Sequence, residues 1–232
     1  MRIENRVKRE FEAILFDMDG TMINSEPHWM TGETELMAEY GHQWTTEDQR
    51  YCLGGPLPKV GAYMWKLSGE RESPEFFHQE LVKRVISQFE NGIEFMPGAH
   101  ELLAAAKDEG IPIGLVTASP IAMMEATLSR FPKDFFDVAV SGDDVQFTKP
   151  DPACYFLAAQ KLGLDITQCL VLEDSLTGIK AGSDSGAFVV AIPHLVTVAE
   201  TARIRVLSSL ENVSLSQLEE LYTSEYVARS SS

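Results

Sequence analysis

Apolar and polar positions change their period twice along this chain. Ala13-Ile14-Leu15-Phe16 is a short unbroken apolar run, the pattern of a strand buried on both faces. From residue 25 to 93 the spacing turns helical and strand-like runs disappear. Residues 33–40 are amphipathic, with Gly41 placed as a C-terminal stop, and a Gly/Pro break covers 53–58. Residues 74–90 carry the strongest helical signal: Phe77, Leu81, Val85 and Phe89 recur every four residues with Val82 and Ile86 beside them, and Asn91-Gly92 ends the run. Beyond residue 94, helical segments at 99–109, 121–129, 153–162 and 177–183 alternate with strand-like segments at 113–117, 138–141, 169–173 and 188–192. A docking segment and last helix fall within 208–219.

Strands that alternate with short helices predict βαβ units and a parallel sheet. The expected architecture is therefore α/β. A sheet core is built from residues 1–24 and 94–232, and an α-helical domain is inserted at 25–93, with hinges near 23–26 and 92–98.

The ends of the predicted strands carry the candidate chemistry. The first strand runs into Asp17 and Asp19, spaced so that an extended chain would point both the same way, and Gly20 then permits a turn. The second ends in Thr117-Ala118-Ser119, the loop after the third holds Lys149-Pro150-Asp151-Pro152, and the fourth ends in Glu173-Asp174-Ser175. In an open parallel sheet, ligands bind beyond the carboxyl ends of the strands. Plainer readings exist for each group alone. Asp and Gly form ordinary turns, Thr117 and Ser119 are helix-cap residues, Lys149 is a solvated lysine, and Glu173-Asp174 suits a helix N-terminus. All four groups falling at strand ends, in this order, favours a shared site for a phosphate and a hard metal ion.

Composition narrows the partners. The chain has 232 residues, 44% apolar and 23% charged, enough for a full core. Its net charge of −16 argues against nucleic acid. It also means that an anionic substrate needs local cations, a metal ion and at least one nearby lysine or arginine, because like charges at ~4 Å repel by about 4 kcal/mol at an effective dielectric of 20. No apolar run reaches the ~20 residues of a membrane span. Residues 1–10 are charged and lack the apolar centre of a signal peptide. Cys52, Cys154 and Cys169 are widely spaced, as expected of buried, reduced thiols in a cytoplasmic protein. A monomer is the default expectation.

Asp17-Met18-Asp19-Gly20-Thr21, Leu115-Val116-Thr117-Ala118-Ser119, Thr148-Lys149-Pro150-Asp151-Pro152 and Leu172-Glu173-Asp174-Ser175 together resemble the four motifs of the haloacid-dehalogenase superfamily. The chain is similar to the sugar-phosphate phosphatases and β-phosphoglucomutases of that superfamily, which carry a helical cap between the first two motifs on a Rossmann-like core. The resemblance implies a phosphatase acting on a small phosphorylated metabolite. Asp17 would be the nucleophile that forms an aspartyl-phosphate, and Asp19 the acid and base. Thr117, the Ala118 N–H and Lys149 would bind the phosphoryl group. Mg²⁺ would be held by Asp17, the Asp19 backbone carbonyl and Asp174, with Glu173 a direct or water-mediated ligand. Gly54, Gly55 and Lys59 stand where such caps contribute specificity.

Three other readings remain within the resemblance. The mutases have histidine where this chain has Trp29, and Pro56-Leu57-Pro58 replaces the basic residue that they place after the cap glycine, which favours hydrolysis. A dehalogenase would lack Asp19. A non-catalytic phosphometabolite-binding protein would be expected to lose Asp17, Asp19, Lys149 or Asp174, and all are present.

Overall fold

The computed structural model describes residues 9–53, 55–89, 92–194 and 196–230, with the backbone alone for 224–230. Gly54 of the expected specificity segment and Asn91 of the helix stop lie outside the described residues. The chain divides into two compact units, one of Met1–Ile23, Phe95–Ile121 and Pro132–Ser232, the other of Asn24–Glu94 and Ala122–Phe131.

The first unit is an α/β sandwich around a parallel six-stranded sheet. Its strands are β1 (Ala13–Phe16), β2 (Ile113–Val116), β3 (Val138–Val140), β4 (Cys169–Glu173), β5 (Phe188–Ala191) and β6 (Ile204–Val206), in the spatial order β3-β2-β1-β4-β5-β6. This is a doubly wound order, and it fits the Rossmann-like parallel core that the resemblance implied. β1 lies between β2 and β4, with Ile14 in register with Ile113 on one side and Leu170 on the other. The strand order reverses beside β1, so the crevice at its carboxyl end is where a ligand is expected.

Every residue of β1, β2, β4 and β5 is buried, which is why these strands read as apolar runs without alternation. Ala13 and Leu15 of β1 join a core with Cys154, Tyr155, Ala158 and Ala159 of α7 (Ala153–Leu162) and Ile179 and Ala181 of α8 (Leu176–Ser185). Helix α5 (Ala99–Asp108) packs against β2 and against the final helix, α9 (Leu215–Ser230). α9 runs beyond residue 219, the end expected from the pattern, and in this extension the Tyr222 ring packs against Phe11 and Phe188. β6 was also missed: only three residues long and only partly buried, it carries too little signal. All three cysteines are buried and free, as the spacing suggested.

The second unit contains four consecutive helices: α1 (Glu26–Glu39), α2 (Thr46–Cys52), α3 (Leu57–Leu67) and α4 (Pro74–Phe89). α4 buries Phe77, Leu81, Val82, Val85 and Phe89, the stripe read from the sequence, and packs on α1 and α3. α1 starts well before residue 33, since Pro27 at the helix start is tolerated and its first turns need no amphipathic stripe. Gly41 follows it with φ 77°, as a helix stop requires. α2 has little apolar pattern and is set instead by a capping box between Thr45 and Asp48. α6 (Ile121–Leu128), mostly within this unit's second segment, completes the helices before α7.

Candidate active site

Backbone ladders carry the sequence-singled residues to one edge of the first unit. The Asp17 N–H donates to the Leu172 carbonyl at 3.0 Å and the Thr117 N–H to the Val140 carbonyl at 2.9 Å, each extending a strand pairing by one residue. Glu173 is the last residue of β4, and its carbonyl accepts from the Ile192 N–H at 2.6 Å. The ends of β1, β2 and β4 are thus fixed relative to one another before any side chain is considered.

Lys149 joins them. Its ammonium donates to Asp17 Oδ1 at 2.5 Å, Glu173 Oε1 at 2.7 Å and the Val116 carbonyl at 2.8 Å. The lysine side chain is 3% exposed, so this is a buried ion-pair network and not the solvated lysine of the plainer reading. Burial works against the ammonium, but Asp17 and Glu173 hold its pKa well above the usual lysine range. Lys149 precedes Pro150 through a cis peptide bond.

Glu173 is completely buried and uses both oxygens. Oε1 accepts from Lys149 and, at 2.9 Å, from the Tyr155 hydroxyl; Oε2 accepts from the N–H groups of Asp174 and Ser175 and, at 3.1 Å, from Ser175 Oγ. Gly178 leaves space for this carboxylate: a β-carbon there would lie within 2.1 Å of three of its atoms. Ser175, not Glu173 or Asp174, caps α8, accepting from the Gly178 N–H at 3.0 Å.

Asp19 reaches the same edge by another route. β1 ends at Phe16, so the two-residue alternation of a strand does not place Asp19. Instead the Met22 and Ile23 N–H groups both donate to the Met18 carbonyl, Gly20 takes φ 81°, and the chain turns back on itself. Asp19 Oδ2 accepts from Ser119 Oγ at 2.7 Å, with Thr117 Oγ1 more distant at 3.5 Å. Asp19 Oδ1 is buried without a hydrogen-bond partner among the described residues. Thr117 and Ser119 do not cap α6, whose first N–H, on Ile121, is taken by Asp143 at 2.9 Å. The exposed Ala118 N–H donates no hydrogen bond among the described residues. From the loop after β5, His194 Nε2 bonds the Gly20 carbonyl at 2.9 Å.

The charge in this cluster is unbalanced. Carboxylate oxygens of Asp17, Glu173 and Asp174 lie within 4.8 Å of one another, against the single ammonium of Lys149. Burial, then the Glu173 charge, pushes the Asp174 carboxyl up to about 7, even though Thr21 donates to it at 3.2 Å. Burial and Glu173 likewise raise Asp17, against the pull of Lys149. With all three carboxylates ionised, the single ammonium leaves an excess of two negative charges in an all-oxygen donor set, which suits a hard divalent cation such as Mg²⁺. Glu173 is the member least able to bind it, because both its oxygens are already engaged. Of the residues that share this cluster, Tyr155 and Ser119's role toward Asp19 were not read from the sequence. Tyr155 sits where a helix would place a core aromatic, and nothing local announces its hydroxyl contact.

Residues 14–192 match a family model described as haloacid dehalogenase-like hydrolase. A hexitol phosphatase B of Escherichia coli O157:H7 is 33% identical over 218 residues, covering 92% of this chain and 95% of the relative. A phosphorylated carbohydrates phosphatase of Thermotoga maritima is 31% identical, covering 75% of this chain and 82% of its own length. Among solved structures, CbbY of Rhodobacter sphaeroides in complex with phosphate superposes with a TM-score of 0.77 at 28% identity, over 90% of this chain and 99% of that one.

Proposed function

The chain belongs to the haloacid dehalogenase-like hydrolase family, and we propose that it is a Mg²⁺-dependent phosphatase that hydrolyses a small phosphomonoester, a sugar phosphate or similar, through an aspartyl-phosphate. The observation that carries this reading is the buried Lys149 ammonium bonded to Asp17 at 2.5 Å beside the excess negative charge of Asp174 and Glu173. An ammonium there both orients a nucleophilic carboxylate and meets an incoming phosphoryl group. Relatives named as phosphatases of hexitols and phosphorylated carbohydrates support the substrate class.

Each residue then has a task. An Asp17 carboxylate oxygen attacks phosphorus, forming an O–P bond as the bond to the substrate's ester oxygen breaks. Asp19 gives its proton to that leaving oxygen, then takes one from the water that hydrolyses the aspartyl-phosphate. Its unpartnered Oδ1 is available for both transfers, while Ser119 holds Oδ2. Thr117 and the Ala118 N–H receive the phosphoryl oxygens, and the Lys149 ammonium beside them neutralises their charge, which must be matched throughout. Asp17, the Asp19 backbone carbonyl and Asp174 would hold Mg²⁺, which when bound supplies positive charge against the phosphoryl oxygens.

The helical domain at 25–93 is proposed as the cap that selects the substrate's non-phosphate part. A monomer acting in the cytoplasm, without nucleic acid or membrane partners, fits the buried free thiols and the net charge of −16. Among the described residues no helix is long and apolar enough to cross a membrane.

The test is release of inorganic phosphate from a panel of sugar phosphates and nucleotides, with Mg²⁺ or with chelator, using Asp17→Asn as the blank. Mg²⁺-dependent release that vanishes in the blank is expected. Conversion of a hexose 1-phosphate to its 6-phosphate without release would replace the phosphatase by a mutase. Neither activity would leave a phosphometabolite-binding protein.

A further inference from the structure

Among the described residues Tyr155 is the largest fully buried side chain, at 0% exposure in the third position of α7. Its ring belongs to the core against β1 and β4, a position that phenylalanine would fill equally well. A buried phenol must find a partner or lose the free energy of its hydration, so the hydroxyl demands its own explanation. It has one: it donates to Glu173 Oε1 at 2.9 Å.

The consequence is felt at Lys149. An ammonium has three N–H donors, and three acceptors surround this one: Asp17 Oδ1, Glu173 Oε1 and the Val116 carbonyl. Val116 is backbone of β2, and Asp17 is anchored by its own backbone bond to β4. Glu173 alone offers its acceptor on a long, rotatable side chain. Ser175 and two backbone N–H groups hold Oε2, and Tyr155 is the second donor on the oxygen that Lys149 uses. The lysine nitrogen also lies 5.0 Å from the centroid of the Tyr155 ring, which closes that side of its pocket.

We infer that Tyr155 is a positioning residue for phosphoryl transfer: its hydroxyl clamps Glu173 so that Oε1 keeps the Lys149 ammonium directed at Asp17. The inference rests on the proposed phosphatase reading. Tyr155 does not touch the substrate or the reacting atoms. It acts through Glu173, and without the hydroxyl the carboxylate gains freedom and the ammonium loses its fixed direction.

Tyr155→Phe removes only the hydroxyl. In the full chain with Mg²⁺ the expected result is a kcat lower by ~10-fold, about 1.4 kcal/mol of activation free energy, with KM changed by less than about threefold. A purely structural tyrosine would lower the melting temperature and leave kcat alone. In the Glu173→Met background, which has no carboxylate acceptor, the same substitution should have little further effect, since residues acting through one contact are not additive. A third readout needs neither metal nor turnover: in ¹⁵N-lysine-labelled, metal-free protein, the Lys149 ammonium protons should exchange faster with water in Tyr155→Phe than in the wild type. Wild-type kcat and exchange in Tyr155→Phe, or an undiminished loss in the Glu173→Met background, would overturn the inference. If Glu173→Met does not fold, the single variant's kcat and exchange rate decide. A wild type that releases no phosphate would refute the phosphatase reading instead, and the exchange measurement would still decide whether the clamp exists.

Discussion

A β-carbon on Gly20 would lie 2.3 Å from Oδ2 of Asp174. The turn after β1 and the end of β4 therefore approach each other more closely than any side chain on Gly20 allows. Gly20 also has φ 81°, a conformation costing other residues roughly 1–2 kcal/mol. Gly20→Ala should move either the turn that presents Asp19 or the Asp174 carboxylate. The expected outcome is a kcat/KM reduced by ~10²-fold, the scale of a misplacement near 1 Å, with a lower melting temperature. Phosphate release and a thermal melt of the purified variant check both.

Replacing Lys149 separates its electrostatic role from its size. Lys149→Met keeps an unbranched apolar stem but leaves Asp17 and Glu173 facing each other unpaired in a buried site. Breaking one partner of a buried pair costs ~3–5 kcal/mol. Denaturant unfolding in chelator should show a loss of that order, and phosphate release should fall by at least ~10²-fold as a charge directed at the transition state disappears.

The Asp19 side chain depends on Ser119. Ser119→Ala removes the 2.7 Å donor and leaves only the distant Thr117 hydroxyl. A lost hydrogen bond to a charged group is worth ~1.5–3 kcal/mol, so kcat should fall by roughly 10- to 100-fold. KM should change little, because Ser119 does not bind the phosphoryl group. Steady-state kinetics on a substrate with a poor leaving group will show the effect most directly, since such a leaving group needs its proton.

Metal binding should carry a proton signature. With Asp174 raised to about 7 by burial and by Glu173, the metal-free protein holds a proton there through mildly acidic pH. Because the folded pKa lies above the unfolded one, the proton's stabilising contribution is complete below about pH 4 and lost as pH rises through about 7. Mg²⁺ must displace that proton, so its affinity should weaken below about pH 7, by up to ~10-fold per pH unit for each proton released. Calorimetric titration in buffers of different ionisation enthalpy would count the protons.

A second buried carboxyl lies in the helical unit and outside the proposed chemistry. Glu33 is 4% exposed, with Oε2 unpartnered, and burial followed by the charge of Glu26 pushes it up to about 8. Its neighbour Asp48 differs: burial opposes its charge, but Tyr63, Thr45 and His42 supply enough bonds to hold it below the usual range. For Glu33 the folded pKa exceeds the unfolded one, so wild-type stability should decline from about pH 4.5 to about pH 8. Glu33→Gln removes the ionisation and should flatten that decline. Above pH 8 the variant is expected to be the more stable by on the order of 1–3 kcal/mol, the usual desolvation cost of an unsatisfied group, measured by urea unfolding across pH.

The sequence by itself determined the parallel α/β core, the helical run at 25–93 and the gathering of Asp17, Thr117, Lys149 and Asp174 toward one edge. These follow from local rules. An apolar run four residues long marks a strand buried on both faces, a four-residue recurrence marks a helix, and parallel strands bring their carboxyl ends together whatever the side chains do. Only the tertiary structure decided who bonds to whom at that edge. Lys149 reaches Asp17 across 132 positions and Glu173 across 24; Ser119 reaches Asp19 across 100. Such contacts depend on strand order, and β1 lies between β2 and β4 although β4 is far along the chain. Tyr155 and His194 were invisible for the same reason, since a core aromatic and a surface histidine acquire partners only once β4 and the turn after β1 are in place. The short β6 and the unpatterned start of α1 needed neighbours too, because their own residues bury too little to announce them.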